Sequence, residues 1–220
     1  VSNVSHELKT PLHAISGYAE LLENGMVRPE DVKPFAGKIR AESARMTSLV
    51  EDIINLTKLD NGGAEMTWED CDLYRIAENA VDSLMTTAEA ENVRLDLSGG
   101  HAMVYGVPQQ LYSIVYNLCD NAIKYHTAEG KVWVRVNQDA SGVTLQVQDN
   151  GIGIPEDCQD RIFERFYRVD KSRSKAAGGT GLGLSIVKHA VLIHKAYIQV
   201  RSKPGIGSEF TVFFPNRKEK

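Results

Sequence analysis

The chain has 220 residues and a formal net charge of −4, which withholds the basic footprint that nucleic-acid binding asks for. Hydrophobic residues make up 42% and charged residues 25%, as in an ordinary soluble globular protein, and no apolar run approaches the ~20 residues of a membrane span. Cys71, Cys119 and Cys158 are far apart and form no Cys-x-x-Cys pair, so neither a disulfide framework nor a zinc site is expected, and a reducing cytosol fits.

Val1, Val4, Leu8, Leu12, Ile15, Ala19 and Leu22 step by threes and fours. That spacing predicts an amphipathic helix, stopped after about Glu23 by Asn24-Gly25. His6 is two residues from both Val4 and Leu8, so it points away from the apolar seam. A neutral imidazole there offers a ring nitrogen that can attack an electrophile. Glu7 can accept the other ring proton or orient the ring, and Thr10 shares the His6 face one turn on. Pro11 cannot donate to the Glu7 carbonyl, so a bend is expected at the histidine. The helix is already running at Val1 without a cap. The chain is therefore expected to be a piece of something longer, with any membrane or sensory part lying upstream.

Arg28-Pro29-Glu30-Asp31 suits a helix start. Phe35, Ile39, Met46, Leu49, Ile53 and Leu56 then mark a second helix ending at Asn61-Gly62-Gly63. Two such helices form an antiparallel hairpin, and pairing two hairpins into a four-helix bundle would bury both seams. A homodimer is the expectation. The Gly-Gly linker predicts that the hairpin, residues 1–63, stands apart from a second domain at 67–217.

In that second domain the pattern predicts a short strand near 66–68, a helix at 73–90, and strands at 93–97 and 102–105. A helix over about 109–125 follows, then a hairpin of strands at 131–137 and 143–148. A helix at 182–194 and a pair of strands at 197–202 and 209–214 close the domain. The fold class is α+β: a helical hairpin followed by a two-layer α/β sandwich with a mostly antiparallel sheet.

Four patches of this domain carry chemistry. Asn117, Asn121 and Lys124 share one helical stripe, although asparagine is a poor helix former. Amide oxygens suit Mg²⁺ when phosphates supply the other ligands; Lys124 would meet a phosphate as a point charge, and Tyr125 offers a wall for a purine. At a strand end, Asp149-Asn150-Gly151-Ile152-Gly153-Ile154 pairs a carboxylate able to accept adenine's amino hydrogen with glycines that let backbone approach closely. Gly178-Gly179-Thr180-Gly181-Leu182-Gly183 leads into a helix and offers backbone N–H groups to an anion. It is not a Walker loop, because no Gly-Lys-Ser/Thr follows. Between these loops, Arg161, Arg165, Arg168, Lys171, Arg173 and Lys175 interleave with Phe163, Phe166 and Tyr167, as in a mobile lid that screens phosphate charge.

Ser5-His6-Glu7-Leu8-Lys9-Thr10-Pro11-Leu12 resembles the H-box of sensor histidine kinases at every position. The four patches, in order, resemble the N, G1, F and G2 boxes of that family's ATP-binding domain, of the GHKL (Bergerat) type. Gly205-Ile206-Gly207-Ser208-Glu209-Phe210 looks like its last glycine box. The resemblance implies ATP and Mg²⁺ as cofactors, His6 as phosphoacceptor, Glu7 as assisting base, and Thr10 as the residue that positions water for dephosphorylation. It implies Asn117 and Asn121 at the metal, and Lys124 and Arg168 on phosphates. Asp149 would read adenine, with Tyr125, Gly151, Gly153 and Ile154 around the base, and Gly179, Thr180, Gly181, Leu182 and Gly183 would cover the phosphates. A response-regulator receiver domain is the implied partner, and this portion would be cytoplasmic.

The chain departs from the pattern at Gly106-Val107, where the family commonly has Gly-Asp, and at Lys195-Ala196, where it often has Gly-Gly. The first weakens the expected helix cap; the second predicts strain or a different turn. Two other functions fit parts of the pattern. One is a GHKL ATPase that drives clamp closure, which would carry an acid where Asn117 stands. The other is a non-catalytic scaffold that binds regulators through the bundle.

Overall fold

The computed structural model describes residues 2–60, 66–170 and 179–217. The linker at 61–63, Lys171, Arg173, Lys175 and Gly178 lie outside the described residues. The hairpin consists of α1 (Ser2–Glu23), a 3-10 turn (Pro29–Asp31) and α2 (Val32–Asp60). Asn24 and Met26 donate backbone N–H groups to Glu20 and Leu21, and Gly25 sits at φ +64°. These bonds close the end of α1, where the Asn-Gly signal places it. Pro11 lies inside α1, which continues through it. Thr10 Oγ1 donates to the His6 carbonyl at 3.1 Å. Tyr18 and Phe35 meet edge to face at 5.5 Å between centroids and pin the two helices together.

The second domain adds β1 (Glu69–Asp72), α3 (Leu73–Ala90), β2 (Val93–Gly99), β3 (Met103–Gly106), α4 (Pro108–Lys124), β4 (Gly130–Gln138), β5 (Gly142–Asp149), α5 (Gly183–Ile193), β6 (Tyr197–Lys203) and β7 (Gly207–Pro215). Five strands form one sheet in the order β2-β4-β5-β7-β6, with only β2 and β4 parallel. The strands alternate as a half-buried sheet requires. Val134, Val147 and Phe210 stand opposite one another across three strands, as do Val136, Leu145 and Val212. That face packs on α3, α4 and α5, whose buried residues recur at helical spacing. Cys71 and Cys119 are buried, and burial pushes the Cys119 thiol up to about 12. Among the described residues, no helix is long and apolar enough to cross a membrane.

The weak cap expected at Val107 is observed: Val107 makes no side-chain cap bond, Pro108 opens the helix, and the Val107 N–H itself donates to His194 Nε2 at 3.0 Å. Two expectations need correction. The strand expected at 66–68 lies instead at Glu69–Asp72, pairing antiparallel with β3 through Cys71 and Val104. Trp68 is outside the ladder and stacks on Tyr105 at 5.7 Å. The hairpin, in turn, does not stand apart. Leu49 and Leu56 of α2 share a small core with Leu182 and Ile186, packed against Leu8, Ile53 and Phe166. Leu182 is fully buried there, because the loop before α5 turns it toward the hairpin.

Candidate active site

A cavity of about 420 Å³ opens between the C-terminal half of α4, the end of β5 and the loop before α5. That is a common size for a small-molecule site. Asn117, Asn121, Lys124, Tyr125, Asp149, Gly153, Ile154, Arg168, Gly179, Thr180, Gly181 and Gly183 all line it. Two expected residues do not. Gly151 stands behind the wall, where a Cβ would come 2.4 Å from the Tyr125 carbonyl oxygen. Leu182 faces α2 instead.

The two asparagines are held by close packing. Asn117 Nδ2 donates to the Ser113 carbonyl at 2.8 Å, so the amide orientation is set. Its Oδ1 is thereby turned toward Gly183, where a Cβ would be 2.7 Å from Oδ1 and 3.7 Å from Asn121 Nδ2. The first residue of α5 is thus a glycine because a larger one would strike the α4 stripe. Lys124 Nζ reaches Asp120 Oδ2 at 2.6 Å along the same helix.

Asp149 ends β5 against Ser208 of β7. Its Oδ1 accepts from the Gly151 N–H at 2.8 Å and the Ser208 N–H at 3.2 Å. Burial nevertheless holds its carboxyl above the usual carboxylate range. Gly207, at φ +129°, lets β7 approach so closely that a Cβ would sit 2.0 Å from the Asp149 carbonyl oxygen.

The hairpin closes one side of the cavity through Ser48 and Asp52 of α2. Thr180 Oγ1 donates to Asp52 Oδ2 at 2.6 Å and accepts from the Leu182 N–H at 3.2 Å. Burial raises the Asp52 carboxyl, while Thr180 and then Lys124 pull it down. Arg168 Nη2 meets Glu7 Oε2 at 3.0 Å, and Arg45 Nη2 meets the same oxygen at 3.7 Å. The Arg168 side chain is only 8% exposed, and its Nε has no hydrogen-bond partner among the described residues. Phe166, at φ +66°, donates its N–H to the Gly181 carbonyl at 2.8 Å. A positive φ is strained for a bulky residue.

His6 is exposed on α1, beside the half-buried Glu7 and one turn from the exposed Thr10. The geometry therefore brings the expected residues into two groups, one on α1 and one around the cavity, joined by the Arg168–Glu7 pair. Sequence reading missed Ser48, Asp52 and Arg45. Each looks like an ordinary polar position on a bundle helix, and no local pattern distinguishes it.

Comparison with known proteins gives the family. Residues 106–218 match the family described as "Histidine kinase-, DNA gyrase B-, and HSP90-like ATPase", and residues 1–62 match "His Kinase A (phospho-acceptor) domain". The chain is 39% identical over 217 residues to the sensor-like histidine kinase SenX3 of Mycolicibacterium smegmatis, a match that covers 98% of this chain and 56% of that protein. It thus spans about half the length of this relative. Among solved structures, full-length ShkA in complex with AMPPNP superposes with a TM-score of 0.70 at 25% identity, covering 98% of this chain and 46% of that one. Histidine kinase ThkA, in complex with response regulator protein TrrA, gives 0.76 at 20% identity over 97% of this chain and 60% of that chain, a likeness of fold. With a phospho-acceptor hairpin leading into an ATPase domain of this type, the chain belongs to the sensor histidine kinase family.

Proposed function

We propose that this chain is the catalytic core of a sensor histidine kinase. It binds ATP in the cavity, phosphorylates His6, and passes the phosphoryl group to an aspartate of a response-regulator receiver domain. The observation that carries the reading is the exposed His6 on a helix whose next residue, Glu7, is ion-paired with Arg168 of the cavity wall. The residue next to the nucleophile is thereby held against the wall of the nucleotide site.

The geometry supports a division of labour. Both backbone donors to Asp149 converge on Oδ1, which leaves Oδ2 to accept the amino hydrogen of adenine. Tyr125, Gly153 and Ile154 border the base, with Gly151 setting the approach of the chain behind them. Asn117 Oδ1, already turned inward, and Asn121 fit Mg²⁺, which prefers oxygen ligands shared with phosphates. When bound, the ion would neutralise charge on the transferring group. Lys124, Arg168 and the Gly179–Gly183 loop would serve the phosphates.

In the transfer, a His6 ring nitrogen attacks the γ-phosphorus. The bond to the β,γ-bridging oxygen breaks, ADP leaves with that oxygen, and the proton on the other ring nitrogen passes to Glu7. Thr10, its hydroxyl one turn from His6, would position water for dephosphorylation of the regulator. The regulator itself is supported by the fold likeness to ThkA, which is seen with TrrA. We place the protein as a homodimer through the hairpin, whose Leu12, Leu21, Val50 and Ile54 are 37–50% exposed in the single chain. The domains divide as 1–63 and 67–217, and this portion is cytoplasmic in a longer membrane sensor.

Incubation with γ-³²P-labelled ATP tests the reading. The label is expected on the protein, acid-labile and base-stable as a phosphoramidate is. His6→Gln is expected to abolish incorporation while nucleotide binding persists. Label retained by that variant would remove His6 as the acceptor. Steady hydrolysis with no phosphohistidine in the unaltered protein would instead favour a clamp-type ATPase.

A further inference from the structure

Two carboxylates of the hairpin engage the two cavity side chains best suited to grip a phosphate. Asp52 accepts the Thr180 hydroxyl at 2.6 Å, and Glu7 accepts Arg168 Nη2 at 3.0 Å. Lys124, the third group assigned to phosphates, bonds Asp120. A carboxylate and a phosphate offer the same anionic oxygens to such donors, so they compete. Arg168 is not fully satisfied by this arrangement, because its buried Nε lacks a partner among the described residues. Phe166, which packs against the α2 contact, is held at an unfavourable φ.

We propose that Asp52 is a phosphate surrogate: by bonding Thr180 inside the nucleotide cavity, it makes seating of α2 and binding of a nucleoside triphosphate mutually exclusive. The inference rests on the nucleotide-binding reading above and deepens it. Arrival of the triphosphate displaces the Asp52 carboxylate from Thr180 and draws Arg168 from Glu7. The apolar contact of Leu49 and Leu56 with Leu182 and Ile186 then loses its polar flank. Glu7 is freed beside His6 in the same event, so loading of substrate and release of the assisting base are one exchange. A nucleotide with a single phosphate lacks the charge to force it. In population terms the seated state is not competent for triphosphate, and the apparent affinity falls by the competent fraction.

The test compares the full chain with Asp52→Asn, which keeps size and a hydrogen-bond acceptor but removes the charge. Binding of AMPPNP with Mg²⁺ and of AMP is measured by calorimetry. Amide hydrogen exchange over residues 46–57 and 179–187 is followed with each ligand. Asp52→Asn is expected to tighten AMPPNP by about three- to tenfold, the range set by a seated state populated at roughly 70–90%, and to leave AMP within about twofold. In the unaltered protein AMPPNP is expected to speed exchange in the 46–57 segment of α2, and AMP is not. Equal AMPPNP affinity in the two proteins, or slower exchange in α2 on AMPPNP binding, would overturn the inference alone. Failure of both proteins to bind either nucleotide would overturn the nucleotide reading and this inference with it. If Asp52 instead seats the domain for catalysis, Asp52→Ala will lose autophosphorylation at saturating ATP, and that result also overturns the proposal.

Discussion

At Gly183 one hydrogen atom decides whether two helices can meet. A methyl group there would press on Asn117 Oδ1 from 2.7 Å, and the amide cannot turn away without losing its bond to Ser113. Gly183→Ala is expected to weaken Mg²⁺-ATP binding at least about tenfold, as a bond-length displacement of a ligand does, with little change in far-ultraviolet circular dichroism. Titration with a fluorescent ATP analogue measures it. His194 carries a different kind of constraint. Burial lowers its titration, and its Nε2 must stay unprotonated to accept the Val107 N–H. With a folded pKa below the unfolded ~6.5, the unfolded chain takes up more protons as pH falls, so this stabilisation is present above about pH 6.5 and lost below it. Urea unfolding at about pH 7.5 and 5.5 should show a larger loss in the unaltered chain than in His194→Gln. The asparagines were conspicuous because the residue is a poor helix former, and Asp149, whose strand-end letters are common in turns, only through its place among the ordered motifs. Asp52, Arg45 and the His194 contact were not legible: each acts through a partner more than 35 residues away in sequence.

At the scale of elements, periodicity placed the helices and most strands to within about two residues, since each buries one regular face. The strand β1 was misplaced because its sequence, Glu-Asp-Cys-Asp, has almost no apolar signal. It exists through pairing with β3, a contact no local window contains. The end of α5 shows the strain expected where glycines are absent. Ala196 N–H bonds the Val191 carbonyl and Lys195 N–H bonds that of Leu192, both at 3.0 Å, with Lys195 at φ +53°. This is a Schellman ending with a lysine in the left-handed position. Lys195→Gly is expected to stabilise the domain by about 0.5–1 kcal/mol, read as a higher midpoint in thermal unfolding, without altering nucleotide affinity.

Across the molecule, the described residues form two cores, the large one under the sheet and the small one between α2 and α5. The hairpin uses one side of α2 for that small core and leaves Val50 and Ile54 outward on the other. If the outward side joins two chains, Val50→Glu with Ile54→Glu will halve the mass seen by sedimentation velocity at micromolar concentration. Nucleotide binding is expected to survive, because neither residue lines the cavity. The Gly-Gly linker suggested independence of the two domains, but composition cannot show that Leu182 and Phe166 turn toward a neighbouring helix. Phe166 itself works as a wound spring. Its left-handed backbone angle stores about 1–3 kcal/mol, a torsional load that the aromatic ring's grip on the hairpin keeps from relaxing. Handedness and adhesion are therefore opposed at a single residue: a glycine at that position would release the torsion and, with the same stroke, the ring's hold on the hairpin.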